Sequence, residues 1–134
     1  MTSDIKYFNP PALPTPVGYS QIVEARSSRL FFIAGQVPVD AKGELVGAGN
    51  FEAQVEQVFR NLAAALESIG CTARNLVKMT VFVRDMNNLL PYRAARVKFF
   101  SSVTPTAAPA VTLVEVSRLY LDEIMLEVEA VAAV

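Results

Sequence analysis

The chain has 134 residues, of which 52% are hydrophobic and 19% are charged, and twelve basic residues nearly balance thirteen acidic ones. This length and apolar content predict a single folded domain over residues 1–134 and exclude a disordered or collagen-like chain. The formal net charge of -1 gives no sign of a nucleic-acid-binding protein.

The sequence lacks residue types that many catalytic and metal-binding sites require. The sequence contains no His and no Trp, and Cys71 is its only cysteine. This excludes a His-based catalytic triad, an internal disulfide and most zinc or iron sites, so we expect no metal and no cofactor. The first residues lack the apolar region of a signal peptide, and no apolar run approaches the ~20 residues that span a bilayer. We therefore expect a cytoplasmic protein with no membrane partner.

The first part of the chain carries the patterns of extended strands. Short runs of β-branched and aromatic residues, separated by turn residues, predict strands at residues 5–8, 19–25 and 30–35. The four polar residues 26–29 predict a hairpin loop between the second and third strands. Residues 30–34 are apolar at every position, so both faces of this strand should be covered.

The rest of the chain alternates between helix and strand patterns. Apolar residues at spacings of three and four predict a helix over residues 51–69, with Asn50 as its N-cap and Gly70 just after its end. Further patterns predict a strand at residues 76–83, a helix at 89–102, and strands at 110–117 and 124–131. The order β-β-β-α-β-α-β-β predicts an α+β fold, with two helices on one face of a mixed six-stranded sheet.

The alternation along the last strands predicts which residues lie on the face away from the helices. This face should carry the apolar residues of one closing strand and the acidic residues of both: Val111, Leu113, Glu115, Glu127 and Glu129. Together with Phe82 and one side of residues 30–34, they would form a large apolar patch. Such patches mark association surfaces, so we expect a homo-oligomer; the alternative is a monomer with scattered apolar residues at its surface.

Several short motifs occur in one order along nearly the whole chain. They are Gly18-Tyr19-Ser20-Gln21, the sequence AGQVPVD at 34–40, residues 54–66, VKMTVFVRDMN at 77–87, Pro109-Ala110, VEV at 114–116 and LEVEA at 126–130. Each motif is weak alone, but together they resemble the RidA/YjgF family of reactive intermediate deaminases, also called L-PSP endoribonucleases. The resemblance implies a chorismate-mutase-like fold and a homotrimer with ligand clefts between its subunits.

The resemblance also implies an activity and a site. Members of the family hydrolyse reactive enamines and imines, such as 2-aminoacrylate and 2-iminopropionate, to a keto acid and ammonia. By motif, Glu127 corresponds to the acid that activates water, Tyr19 to a tyrosine of the cleft, and Ala34 and Gly35 to a small pair beside the ligand. Alternatively, Tyr19 packs at the subunit seam, and Glu127 pairs with a basic residue at a polar subunit surface.

One motif departs from the family pattern. The family's Pro-Ala-Arg is Pro109-Ala110-Val111 here, and the cysteine two residues later is Leu113. Because positions two apart on a strand share a face, both changes should make one wall of the cleft more apolar. A carboxylate-bearing imine would lose an anchor of roughly 1.5–3 kcal/mol, the scale of a charged hydrogen bond.

Arg93, on the second predicted helix, is a candidate for replacing the missing charge. It could reach into the cleft from the opposite wall and bind the ligand. Alternatively, both Arg93 and Arg96 are solvated charges on the helix surface, which is the usual place for arginine.

The sequence therefore predicts a homotrimer that deaminates a small imine or enamine metabolite, with a substrate range altered by Val111. A non-catalytic, metabolite-binding or chaperone-like trimer stays open, and an apolar wall of Val111 and Leu113 would favour it. A ribonuclease or translation inhibitor is disfavoured by the balanced charge, because phosphate binding uses Lys and Arg.

Overall fold

The structure, a computed structural model, describes residues 4–134. The prediction that the chain begins without a signal peptide concerns residues 1–3 in part, and these lie outside the described residues. The predicted α+β order of strands and helices is confirmed. The elements are β1 (Asp4–Phe8), β2 (Ile22–Arg26), β3 (Leu30–Gln36), α1 (Phe51–Ser68), β4 (Leu76–Val83), α2 (Leu89–Phe100), β5 (Ala110–Glu115) and β6 (Leu126–Ala133). Short 3-10 helices at Ala73–Asn75 and Met86–Asn88 precede β4 and α2.

The six strands are divided between two sheets, which differs from the single sheet that the sequence predicted. β1 and β2 form an antiparallel ribbon, and the other four strands form a mixed sheet in the order β3-β6-β4-β5. β2 therefore does not pair with β3, and the hairpin predicted at residues 26–29 is absent. Instead, the backbone N–H groups of Ser28 and Arg29 donate to the carbonyl of Val134 at 2.9 and 3.1 Å, at the β6 end.

Helices α1 and α2 pack on one face of the four-stranded sheet and enclose the core with it. The side chain of Asn50 caps α1 by accepting a hydrogen bond from the Ala53 N–H at 3.1 Å, as its sequence position predicted. The apolar stripe of α1 then faces the sheet. The sheet contributes every second residue of its central strands to the same core: Met79, Val81 and Val83 of β4, and Leu126, Val128, Ala130 and Ala132 of β6.

The opposite face of this sheet is not covered by other parts of the described chain. Phe32 is 78% exposed and Leu30 is 53% exposed, although their neighbours Phe31 and Ile33 pack against the core. Only one side of β3 is thus covered within a single chain, and the expectation of two covered sides is not met there. We call this surface the open face. It also includes residues of the three other strands, namely Thr80 and Phe82 of β4, Glu127 and Glu129 of β6, and Thr112 and Val114 of β5.

The pairing of β5 decides which way its side chains point. β5 lies beside β4 in parallel register, with Val111 opposite Met79 and Leu113 opposite Val81. Both partners point into the core, and Val111 and Leu113 pack against it as well. The predicted facing of β5 is therefore wrong: these two residues lie on the helix side of the sheet. β4 lies between the two closing strands, and its register decides which way the side chains of β5 point.

Within residues 4–134, none of the helices combines the length and the apolar character needed to cross a bilayer.

Candidate functional site

An irregularity in the pairing of β3 and β6 shapes the centre of the open face. Ile33 pairs with Ala130 and Gln36 pairs with Val128, so β3 holds one more residue than β6 over this stretch. The extra residue falls within Ala34-Gly35, the small pair that the motif singled out. Bulges of this kind change the direction in which neighbouring side chains point and are frequent beside active sites.

The carboxylate of Glu127 lies directly over Gly35. A Cβ atom added to Gly35 would fall 2.8 Å from Cδ of Glu127, which is closer than real Cβ contacts allow. Glu127 is half-buried, and within the described residues its carboxylate forms no hydrogen bond and no ion pair. Both of its oxygen atoms are therefore available to a water molecule or a ligand. We call Ala34, Gly35 and Glu127 the Glu127 site.

The two other candidate carboxylates differ from Glu127. Glu129 lies two residues further along β6, on the same open face, and is exposed to solvent. Glu115 lies opposite the buried Val83, and its Oε1 accepts a hydrogen bond from the Met86 N–H at 2.9 Å. The expectation that Glu115 joins the other two is therefore wrong, because β5 is not adjacent to β6.

Tyr19 lies far from Glu127 along the sheet, at the beginning of β5. Its neighbour Ser20 is buried, donates its N–H to the carbonyl of Pro109 at 3.1 Å and forms an isolated bridge with Ala110. These bonds hold the half-buried Tyr19 beside the Pro109-Ala110 motif. The structure thus brings together two of the motifs that the sequence singled out.

Val111 and Leu113 do not form a wall beside Glu127. Their side chains point to the helix side of the sheet, whereas Glu127 points to the open face. Two inter-strand spacings, together about 10 Å, also separate β5 from β6. The predicted apolar wall opposite Glu127 is therefore wrong for a single chain, and the reason is the register of β5 on β4.

The two arginines of α2 have different environments. Arg93, the predicted candidate, is exposed, whereas Arg96 is only 6% exposed. The Nη2 atom of Arg96 donates a long hydrogen bond of 3.4 Å to the carbonyl of Val17, and a Cβ atom added to Gly18 would fall 2.9 Å from Arg96 Cζ. The guanidinium therefore occupies the space over Gly18, next to Tyr19.

Sequence reasoning missed Arg96 by treating it as a surface charge. A signal was available, because Tyr92, Arg96 and Phe100 recur at a spacing of four on α2. All three residues are buried in the structure. An arginine in the middle of such a stripe can be expected to turn inward with its neighbours.

Tyr92 is the buried neighbour of Arg96. Its hydroxyl has no hydrogen-bond partner within the described residues, and Arg96 Cζ lies 5.8 Å from the centre of its ring. Burial raises the pKa of Tyr92 to about 12, although the charge of Arg96 and its nearby N–H donors act in the opposite direction. The hydroxyl is therefore protonated near neutral pH and able to donate a hydrogen bond. We call Gly18, Tyr19, Tyr92 and Arg96 the Arg96 site.

The other reactive groups among residues 4–134 form no further site of this kind. Burial raises the pKa of the Cys71 thiol, with Arg29 acting in the opposite direction, so little thiolate forms at neutral pH. Among residues 4–134, no cluster of acidic or sulfur side chains is placed to hold a metal ion. A groove of about 850 Å³ runs between α1 and α2, but it is lined by none of the predicted site residues.

Comparison with known proteins places this geometry in a family. The family model described as Endoribonuclease L-PSP matches residues 11–134. A RutC family protein of Synechocystis is 40% identical over 121 residues, which cover 89% of this chain and 88% of that protein. The 2-iminobutanoate/2-iminopropanoate deaminase of Salmonella typhimurium is 37% identical over 132 residues, which cover 98% of each protein.

A solved structure supports the same assignment. The crystal structure of YyfB, a protein of the conserved Rid family from Yersinia pestis, superposes with a TM-score of 0.89 at 33% identity. The match covers 97% of this chain and 98% of YyfB, which confirms the predicted YjgF/L-PSP fold. Sequence and fold agree, and the chain therefore belongs to the RidA/YjgF family.

Proposed function

We propose that this chain is a deaminase that hydrolyses a reactive imine or enamine to a carbonyl compound and ammonia. The observation that carries the proposal is the placement of Glu127 over Gly35, where its carboxylate has no partner in the described chain. A free carboxylate on a rigid strand, next to open space, is suited to positioning and activating a water molecule. The name of the Salmonella relative, which acts on 2-imino acids, supports the same reaction class.

The reaction needs only water and one proton-transfer group. As the water oxygen bonds to the imine carbon, Glu127 accepts a proton from it, and the electron pair of the C=N bond moves to nitrogen. Glu127 then donates this proton to the nitrogen, which gives a neutral carbinolamine. In the second step Glu127 takes the remaining hydroxyl proton and passes it to the nitrogen as the C–N bond breaks, so that ammonia leaves, the carbonyl compound forms and Glu127 is again a carboxylate.

We also propose that the active form is a homotrimer with its clefts between subunits. Leu30 and Phe32, on the same strand as Gly35, leave an apolar surface on the open face, and such a surface is stabilised by association. Within one chain the Glu127 site lies on the open face, whereas Tyr92 and Arg96 are buried on the helix side of the sheet. A second copy would allow the two sites to meet across a subunit boundary.

Val111 leads us to propose an altered substrate range. Because position 111 holds an uncharged Val, β5 offers no cation to a substrate carboxylate there. We expect the relative rates among imines to differ from those of family members with the arginine.

An ammonia-release assay tests the proposed chemistry. Imines of several amino acids, with and without a carboxylate, are generated in place and followed in the presence of the wild-type protein. We expect acceleration over buffer, and a loss of about 10²- to 10⁴-fold in Glu127→Gln. Glu129→Gln is the matched control, since it removes an exposed charge two residues away on the same face.

No acceleration for any imine would overturn the deaminase proposal and leave a non-catalytic metabolite-binding protein. Equal losses in Glu127→Gln and Glu129→Gln would show that the charge of the open face matters, and not a water held by Glu127.

Light scattering tests the assembly. Phe32→Asp places a charge on the open face and should convert a trimer to monomers with loss of activity. Leu90→Asp is the matched control, because Leu90 is 73% exposed on the helix side and should leave the trimer intact. A wild-type protein that is monomeric at assay concentration would contradict the proposed assembly.

A further inference from the structure

Buried polar side chains near the helices are well hydrogen-bonded, and Gln54 is the clearest case. Its Nε2 donates to the carbonyls of Gly47 and Glu123 at 3.1 and 2.7 Å, and its Oε1 accepts from the Met125 N–H at 2.9 Å. This is the usual behaviour of buried polar groups, since an unpaired one loses its bonds to water without replacement.

Arg96 departs from this rule. It is as buried as a core residue, but its only hydrogen bond in the described chain is the 3.4 Å contact with the Val17 carbonyl. No carboxylate among residues 4–134 lies within ion-pair distance of it. Its Nε and Nη1 atoms form no hydrogen bond among residues 4–134. A guanidinium keeps its charge at any ordinary pH, and burying it without an anion is costly.

A second unpartnered donor lies beside it. The hydroxyl of Tyr92 is sealed from solvent, has no hydrogen-bond partner within 3.5 Å in the described residues, and lies close to the N–H groups of Arg96. Gly18 presents no side chain at this place, and its φ of +77° keeps the backbone in a conformation that favours glycine. The site thus offers a fixed positive charge, for which the described residues supply only the long bond to the Val17 carbonyl, and a neutral donor beside it.

We propose that Arg96, assisted by the Tyr92 hydroxyl, binds the carboxylate of a 2-imino acid substrate. The inference rests on the proposed function for the identity of the ligand. It assigns to α2 the anchoring role that β5 cannot perform with Val111. A carboxylate fits because a guanidinium can donate two parallel hydrogen bonds to its two oxygens. The Tyr92 ring packs beside Arg96 and limits its movement, so the guanidinium is held in place before the ligand arrives.

Pyruvate is the probe, because it is the carbonyl counterpart of 2-iminopropanoate, which the name of the Salmonella relative includes, and it needs no turnover. Binding is measured by protein-observed NMR titration, with acetone as the neutral molecule that lacks the carboxylate. We expect the wild type to bind pyruvate and not acetone, and Arg96→Met to weaken pyruvate binding by about 10- to 150-fold. Lys98→Met, which removes an exposed cation of the same helix, is the matched control.

Two further variants protect the test against misfolding of Arg96→Met. Tyr92→Phe removes only an unpartnered hydroxyl, should fold, and should weaken pyruvate binding by about 2- to 10-fold. Arg96→Lys keeps the charge without the paired donors and should give an affinity between those of the wild type and Arg96→Met.

Undiminished pyruvate binding in folded Arg96→Met, or in both Tyr92→Phe and Arg96→Lys, would overturn the inference. So would a loss of binding in Arg93→Met alone, which would assign the anchor to the exposed arginine. The deaminase proposal fails separately: no ammonia release, with pyruvate binding that depends on Arg96, would overturn the chemistry and support the anion site. Ammonia release without pyruvate binding would overturn the anion site and support the chemistry.

Discussion

The Glu127 and Arg96 sites are built in the same way, with a charged side chain in the space over a glycine. Their backbones differ. Gly18 has a φ of +77°, where other residues are strained, whereas Gly35 is not among the glycines with positive φ. Gly35 is therefore required by the position of the Glu127 carboxylate alone, and Gly18 is required both by Arg96 and by its own turn.

At Gly35 the structure requires only space for a neighbouring side chain, whereas at Gly18 it also requires a backbone conformation that favours glycine. A side chain at Gly35 would leave the backbone unstrained and displace the Glu127 carboxylate, so its main cost should appear in activity. A side chain at Gly18 would strain the turn and displace a buried guanidinium, so its main cost should appear in stability.

The largest expected effect is that of Gly35→Ala on activity. The new methyl group occupies the place of the Glu127 carboxylate, so ammonia release should fall by about 10²- to 10⁴-fold, as for loss of the base itself. Adding Glu127→Asp to this variant shortens the acid by one methylene and should recover part of the rate. Full activity in Gly35→Ala would show that the contact has no catalytic importance.

The next effect is the destabilisation caused by Gly18→Ala. We expect the free energy of unfolding in urea to fall by about 2–5 kcal/mol, from backbone strain and from crowding of Arg96. In an Arg96→Ala background, Gly18→Ala should lower the free energy of unfolding only through backbone strain, by about 1–2 kcal/mol. Equal costs in the two backgrounds would mean that the guanidinium does not fill the space over Gly18.

We expect the free energy of unfolding to fall by about 2–3 kcal/mol at high pH because of Tyr92, since its pKa rises from 10.0 to about 12 on folding. Between pH 10 and pH 12 the unfolded chain releases this proton while the folded chain retains it. Stability is therefore full below pH 10 and decreases as the pH rises toward 12. The difference in unfolding free energy between wild type and Tyr92→Phe should follow this decrease, and a constant difference would contradict it.

The smallest effect is predicted for Arg93→Ala. Arg93 is exposed and forms no ion pair within the described residues, so the free energy of unfolding should change by no more than about 0.5 kcal/mol. Thermal unfolding of this variant beside Arg96→Ala measures the contrast between the two arginines. A larger loss in Arg93→Ala than in Arg96→Ala would reverse their assignments.

The elements themselves were predictable because their signals are local. The cap at Asn50 and the apolar stripe after it specify α1 within one stretch of chain. The strand predicted at residues 76–83 matches β4 residue for residue, since it has β-branched residues on a period of two. The motif resemblance led to the family for the same reason, as it depends on short segments and their order.

The site was less predictable because its residues meet through distant pairings. The motifs singled out both Gly35 and Glu127, but the bulge that places one over the other exists only between paired β3 and β6. The spacing of Tyr92, Arg96 and Phe100 on α2 indicated that Arg96 is buried, but the prediction did not use this spacing. Its burial also depends on the segment that contains Gly18, nearly eighty residues away in the sequence.

What the sequence determined by itself was the order of elements, the family and the identity of the candidate acid, all of which follow from nearby residues. The tertiary structure alone decided the direction of Val111 and Leu113. β5 has apolar residues on both of its faces, so its own alternation does not choose which side is buried. The parallel register on β4 makes that choice, because residues paired across neighbouring strands must point to the same side of a sheet.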